Sequence, residues 1–170
     1  MIIWFTGLSG AGKSTLSDYL KIVLEKAGFS VCQVDGDLFR EKNKHAHFSR
    51  EAIVANNQKI IAHCQEIEDN YDVVIVAVIS PYQETRELAK KTLGKSYCEV
   101  FLDCPLAVVV KNDVKGLYKK SQAGQIKNMI GFHENSPYEI PQNPDIIIKT
   151  NETVISESVE KIIKKLQESY

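Results

Sequence analysis

The chain has 170 residues, a formal net charge of −1 and 44% hydrophobic residues. This length predicts one globular domain over residues 1–170, and the near-neutral charge argues against a nucleic-acid or membrane-surface binder, which would show a basic excess. No apolar run reaches the roughly 18 residues that a membrane span requires. The N-terminus is apolar from its first residue and lacks the basic region and cleavage site of a signal peptide, so we expect a cytoplasmic protein.

Apolar runs and helical periodicities alternate along the chain. Strands are predicted at residues 1–6, 30–34, 72–79, 97–102 and 145–149. Helices are predicted at residues 13–26, 49–69, 84–93, 105–111 and 153–167. Ser49 is the expected N-cap of the second helix. Strands that alternate with helices indicate an α/β fold, here a three-layer sandwich around a central five-stranded parallel sheet.

Residues 113–144 interrupt this alternation with a polar segment. The segment holds three of the nine glycines and three of the five prolines, together with Lys115, Lys119, Lys120 and Lys127. Long irregular segments in compact domains are commonly functional lids. We therefore predict a mobile lid with some helix over about residues 113–144.

The four cysteines, Cys32, Cys64, Cys98 and Cys104, form no Cys-x-x-Cys pair, and the histidines do not complete a zinc-ligand spacing. Three of these cysteines lie in or beside apolar segments, where a free cysteine behaves as a small hydrophobe. We predict buried free thiols rather than a metal site or a disulfide.

A phosphate-binding loop follows the first predicted strand. Gly7, Gly12, Lys13 and Ser14 satisfy the pattern G-x-x-x-x-G-K-[ST]. Backbone N–H groups of such a loop turn inward around a phosphate, and the next helix adds the positive end of its dipole. Lys13 would reach the β- and γ-phosphates, and the Ser14 hydroxyl is a candidate Mg²⁺ ligand. The predicted ATP-binding residues of this loop are Gly7, Leu8, Ser9, Gly10, Ala11, Gly12, Lys13, Ser14 and Thr15.

The rest of the sequence indicates which reaction the protein would carry out with a nucleoside triphosphate bound at this loop. The sequence lacks the Asn-Lys-x-Asp segment that reads the base in a GTPase, and motor or transporter ATPases are longer than one minimal domain. A small phosphate-loop domain with a lysine-bearing lid is typical of a small-molecule kinase. The lid excludes water, so that the γ-phosphate meets a substrate hydroxyl.

Two carboxylates end the second predicted strand, where ligands bind in α/β proteins. One can organise Mg²⁺ and its waters, and the other can accept the proton of the attacking hydroxyl. We assign Asp35 to the metal site and Asp37 to the base, and with Lys13 they are the predicted catalytic residues. Asp-Gly is also common turn chemistry, and on its own it would indicate a turn equally well.

The sequence resembles the adenylylsulfate (APS) kinase family of P-loop kinases. The shared segments occur in the family's order and span nearly the whole chain: residues 4–15, 35–37 with Arg40, 48–49, 79–82, 115–120, 123–124, 126–128 and 137–139. The resemblance implies ATP and Mg²⁺ as cofactors and transfer of the γ-phosphate to the 3′-hydroxyl of a nucleotide. It implies no nucleic-acid or membrane partner. It does not decide between a monomer and a homodimer.

The resemblance also implies which residues bind the acceptor. They are Asp37, Arg40, Phe48, Asn56, Ile79, Ser80, Lys115, Gly116, Leu117, Lys127 and Met129. Asn112 maps onto a family arginine beside the ATP adenine. Lys119 and Lys120 stay unassigned.

Departures from the family pattern lie on the acceptor side. A family arginine that holds the phosphosulfate maps onto Ile53, and the aromatic residue that stacks on the acceptor adenine maps onto Met129. Isoleucine cannot hold an anion with two hydrogen bonds, and a lost stacking ring removes about 1–3 kcal/mol of base binding. The sequence is similar to the kinases of capsule biosynthesis that phosphorylate cytidine diphosphoramidate, which is the acceptor predicted first. Adenylylsulfate is the alternative, and a catalytically dead nucleotide-binding regulator is a further one.

Overall fold

The computed structural model describes residues 1–36, 39 and 49–168. It has five strands, which are β1 Ile2–Thr6, β2 Val31–Asp35, β3 Val73–Ala77, β4 Tyr97–Asp103 and β5 Ile146–Lys149. All neighbouring strands pair in parallel, in the order β2-β3-β1-β4-β5. The predicted five-stranded parallel sheet is confirmed.

Helices connect the strands and close the chain. They are α1 Lys13–Lys26, α2 Arg50–Ile67, α3 Gln83–Leu93, α4 Leu106–Asn112, α5 Leu117–Gln122 and α6 Ile155–Gln167. The predicted cap of α2 is confirmed, because the Ser49 hydroxyl accepts a hydrogen bond from the backbone N–H of Ala52 at 3.3 Å. The α5 helix lies inside the segment predicted as a lid.

The core lies on both faces of the sheet, since β1 and β3 are buried along their whole length. Alternate side chains of a strand point to opposite faces. Ile3 and Phe5 pack with apolar residues of α1 and α6, whereas Ile2 and Trp4 pack with those of α2 and α3. Helices therefore cover both sides, which confirms the three-layer arrangement. Strands buried on two faces are apolar without alternation, as the sequence of β3 shows.

The topology determines where a ligand can bind. The β1 strand lies between β3 and β4, and chain connections leave it toward both edges of the sheet. Parallel α/β sheets bind ligands beyond the carboxyl ends of the strands at such a switch point. Asp35 is aligned with Ala77, and Phe5 is aligned with the same residue from the other side of β3. The loops after β1, β2 and β3 therefore emerge at one edge.

All four cysteines are free. Cys64 and Cys98 are buried as predicted, but Cys32 and Cys104 are only half-buried, so the prediction of burial is wrong for these two. An apolar sequence neighbourhood reports strand or helix membership, whereas exposure depends on what covers that face. Across the described ranges, no helix is both long and apolar enough to cross a membrane.

Candidate active site

The loop between β1 and α1 has the backbone that phosphate binding requires. Gly12 caps α1 in the left-handed region, with φ +93°. A Cβ atom at Gly7 would lie 2.8 Å from the carbonyl oxygen of Leu102, so only glycine fits beside β4. Both conditions leave backbone N–H groups at the N-terminus of α1 available for an anion.

The Lys13 ammonium lies over this loop. Its Nζ donates to the carbonyl oxygens of Gly7 at 2.9 Å and Leu8 at 2.8 Å. A bound phosphate would offer this ammonium charged oxygens beside two neutral carbonyls, and charge-assisted hydrogen bonds are the stronger kind. The structure therefore holds Lys13 where the sequence predicts a phosphate contact.

A pocket of about 230 Å³ opens beside the loop. The predicted ATP-binding residues that line it are Gly10, Ala11, Gly12, Thr15 and Asn112. Its other lining residues are Leu16, Cys104, Val108, Thr150, Asn151, Thr153, Ile155 and Ser158. Sequence reasoning missed this second group. The signal available was the carboxyl end of β5, which meets the same sheet edge as the phosphate loop.

The two predicted carboxylates differ in what the structure shows. Asp35 is half-buried at the end of β2, aligned with Ala77 of β3. Asp37 lies outside the described residues. The Ser14 hydroxyl and the Asp35 carboxylate are oxygen ligands of the kind that Mg²⁺ prefers, and Mg²⁺ commonly takes only one or two protein ligands besides phosphates and water. The residues present therefore fit a magnesium site.

The structure shows the surroundings of Ser80, a predicted acceptor-binding residue. Its side chain is 2% exposed, and its Oγ accepts from Trp4 Nε1 at 3.1 Å and donates to Asn57 Oδ1 at 3.0 Å. The hydroxyl is thus hydrogen-bonded inside the protein, to Trp4 of β1 and Asn57 of α2. Its contact with the acceptor stays a prediction.

Asn56, which precedes Asn57 on α2, is a stronger candidate than Ser80 for binding the acceptor nucleotide. Its Oδ1 is buried and has no hydrogen-bond partner in the described part of the chain. An unsatisfied buried acceptor costs about 1–3 kcal/mol, which a donor on a bound substrate would recover. Asn56 therefore has the unmet hydrogen-bonding capacity of a binding residue.

The two departures from the family pattern are apolar contacts. Ile53 is buried and packs against Tyr82 and Ile130, with Ile79 at the rim of the same cluster. Met129 is buried in the larger core cluster on the side of α1 and α6. Arg40 and Phe48, two other predicted acceptor residues, lie outside the described residues.

The segment predicted as a lid contacts the phosphate loop, because the Tyr118 hydroxyl donates to the carbonyl oxygen of Ser9 at 2.9 Å. The Asp113 carboxylate accepts from the backbone N–H groups of Tyr118 at 3.1 Å and Lys119 at 2.9 Å, which fixes the start of α5. Gly116 precedes that helix with φ +66° and Leu117 begins it half-buried. The predicted phosphate contacts of the lid, Lys115 and Lys127, are exposed.

Comparison with known proteins agrees with this geometry. The family model described as adenylylsulphate kinase matches residues 1–149. An adenylyl-sulfate kinase of Rippkaea orientalis is 42% identical over 167 residues, which are 98% of this chain and 91% of that protein. One of Clostridium kluyveri is 39% identical over 164 residues, 96% of this chain and 81% of that protein.

A solved structure gives the same result. The Mycobacterium tuberculosis APS kinase in complex with AMPPNP and APS has a TM-score of 0.90 and 33% identity, and the match covers 98% of this chain and 96% of that one. The phosphate loop, the parallel sheet and these similarities together identify the chain as a phosphotransferase that acts on a hydroxyl group and belongs to the adenylylsulphate kinase family of P-loop kinases.

Proposed function

We propose that the chain transfers the γ-phosphate of ATP, with Mg²⁺, to the 3′-hydroxyl of adenylylsulfate. The observation that supports this most directly is Lys13 held over the phosphate loop beside a pocket of about 230 Å³ that the loop residues line. The relatives named adenylyl-sulfate kinases and the neighbour solved with AMPPNP and APS support adenylylsulfate better than cytidine diphosphoramidate, the acceptor predicted first from the sequence.

Each side chain has a defined part in this proposal. Lys13 stabilises the charge that develops on the transferred phosphoryl group. Ser14 and Asp35 would hold Mg²⁺, which would supply positive charge to neutralise the β- and γ-phosphates. Asp37 accepts the proton of the acceptor hydroxyl. Asn56 donates to or accepts from the acceptor nucleotide, and the lid segment excludes water.

Cytidine diphosphoramidate is the second candidate, and a specific observation favours it. Ile53 and Met129, at the two positions where the family has an arginine and an aromatic residue, are buried in apolar contacts. Neither supplies a cation for a sulfate or a ring for adenine. A smaller base with a different terminal group would make fewer demands on these positions.

A panel of acceptors tests both candidates. ADP release is measured with adenylylsulfate and with cytidine diphosphoramidate, and phosphorus NMR locates the new phosphate. We expect kcat/KM for adenylylsulfate to be larger by at least about tenfold, equivalent to 1.4 kcal/mol. The reverse ratio would establish the second candidate. Binding of AMPPNP without turnover of either acceptor would instead show a nucleotide-binding regulator.

A further inference from the structure

Arg86 connects two segments that match the family pattern, Ile79-Ser-Pro-Tyr82 and Pro137-Tyr-Glu139. The chemistry proposed above gives neither segment a role as a whole. The side chain is 1% exposed on α3. Its Nη1 donates to the carbonyl oxygen of Ser80 at 2.6 Å, and its Nη2 donates to the carbonyl oxygen of Glu139 at 2.6 Å. One guanidinium therefore holds the loop after β3 and the end of the lid segment together.

Other contacts fasten the same two segments around Arg86. The backbone N–H of Glu139 donates to the carbonyl oxygen of Pro81 at 2.8 Å. The Glu139 carboxylate accepts from the backbone N–H of Gln83 at 2.6 Å and lies 3.6 Å from the Arg50 guanidinium. Residue 139 is thus fixed to the loop through its N–H, its carbonyl and its side chain.

The buried charge of Arg86 is paired with Glu99. Its Nε lies 3.1 Å from Oε1 of Glu99 on β4, and both side chains are nearly inaccessible to water. Burial raises the pKa of the Glu99 carboxyl, and Arg86 opposes that rise. A buried pair of this kind contributes little net stability, but removal of either partner is strongly destabilising because it leaves a charge without compensation.

The loop that Arg86 holds has an uncommon backbone. Ser80 has φ +40°, a conformation that non-glycine residues seldom adopt without support from their surroundings. The Arg86 bond to its carbonyl supplies such support from one side, and the Ser80 hydroxyl bonds to Asn57 on α2 from the other. Asn57 is the neighbour of Asn56, so the geometry of this loop and of the candidate acceptor site are linked.

We propose that Arg86 is a positioning residue for the acceptor nucleotide. Its guanidinium ties the lid segment, at Glu139, to the loop that contains Ser80. This inference rests on the proposed function of the site. The planar guanidinium donates to the two carbonyl oxygens from two separate nitrogens at a fixed separation, whereas a lysine ammonium has only one nitrogen to place between them. Loss of the bridge should weaken acceptor binding while ATP binding on the other side of the phosphate loop stays intact.

The test is Arg86→Lys, which keeps the buried charge beside Glu99 but breaks the bridge. We expect KM for the acceptor to rise by at least about tenfold, the usual consequence of losing a hydrogen bond to a charged group, and the AMPPNP dissociation constant to stay within about twofold. Lys91→Gln, which alters an exposed cation on the same helix, is the matched control and should change neither quantity. Hydrogen exchange at the Glu139 amide should accelerate only in Arg86→Lys.

Equal loss of acceptor and AMPPNP binding in folded Arg86→Lys, or no change in either, would overturn the inference. Glu139→Ala provides a second variant, which removes only the side-chain anchor and leaves the buried pair in place. It should raise acceptor KM by about threefold or more, and an unchanged KM would also count against the inference. Failure of the proposed function would be visible in the unmodified chain as no turnover of any nucleotide acceptor, whereas the exchange measurement still reports on the bridge.

Discussion

The hydroxyl of Tyr118 on α5 donates a hydrogen bond of 2.9 Å to the carbonyl oxygen of Ser9 in the phosphate loop. The Tyr118 side chain is 1% exposed, and Phe132 packs edge-on against its ring. Gly131 lies close enough to Leu8 that a Cβ atom there would overlap the leucine side chain. The segment predicted as a lid is therefore packed on the loop that it would cover, and its mobility stays a prediction.

Tyr118→Phe should loosen this contact without changing the shape of the core. The substitution leaves the Ser9 carbonyl without a donor, so the free energy of unfolding should fall by about 1 kcal/mol. Amide exchange over residues 117–122 should accelerate, and nucleotide with acceptor together should restore protection. Tyr71→Phe, at a partly exposed tyrosine far from the loop in sequence, serves as the control. Unchanged exchange in Tyr118→Phe would mean that the bond does not hold the segment.

The same tyrosine predicts a pH dependence. Burial raises the pKa of Tyr118 from 10.0 to about 12. The pKa of Tyr118 is higher in the folded protein than in the unfolded chain. The contribution of Tyr118 to folding stability is therefore complete below pH 10 and is lost progressively between pH 10 and about pH 12. Chemical denaturation across this range should show a shallower loss of stability in Tyr118→Phe. Identical pH profiles of the two proteins would contradict the assignment.

Lys13→Ala should lower kcat by about two decades or more, because a positive charge is removed from the developing phosphoryl charge. Lys21→Ala is the matched control on the same helix, where the lysine pairs with Glu25 on the exposed face. It should keep nearly full activity. Normal turnover by a folded Lys13→Ala variant would exclude phosphoryl transfer at this loop.

The alkylation rate of Cys104 should report whether the nucleotide pocket is occupied, because this half-buried residue lines the pocket. We expect MgATP to slow its alkylation by iodoacetamide at least about fivefold, since a bound nucleotide would block access. Burial raises the pKa of Cys64 and Cys98 to about 12, so at pH 8 about one thiol in ten thousand is ionised. These two should stay unlabelled in the folded protein. Peptide mass mapping with and without MgATP measures all three, and equal labelling of Cys104 in both would place the nucleotide elsewhere.

Met129→Phe should shift acceptor preference toward adenylylsulfate by about tenfold relative to cytidine diphosphoramidate, because an added ring can stack on adenine. Met129→Leu keeps an apolar side chain without a ring and should leave the ratio unchanged. Ile53→Arg would add a cation at the other position that departs from the family pattern. Since Ile53 packs against Tyr82 and Ile130, we expect that variant to lose about 1–3 kcal/mol of stability. A ratio that Met129→Phe and Met129→Leu change equally would separate residue 129 from base recognition.

Short-range patterns were sufficient for the sheet and the phosphate loop. The unbroken apolar run of β3 and the helical period of α1 each report burial through local repetition, so the element bounds agree closely with the prediction. The glycine and lysine positions of the loop form a contiguous motif, whose backbone requirement is local. The departures at Ile53 and Met129 were also visible in the sequence as residue types.

Only the tertiary structure decided how distant residues meet. The inward turn of the Ser80 hydroxyl depends on Trp4 and Asn57, which are remote from it in sequence. Cys104 lines the nucleotide pocket together with residues that follow β5, and Arg86 bonds to carbonyl groups of two other segments. A sequence pattern records the periodic environment of one element, whereas these contacts arise where the ends of several elements converge. The physical reason is that hydrogen-bond partners and burial are set by packing between elements, which no single stretch of residues encodes.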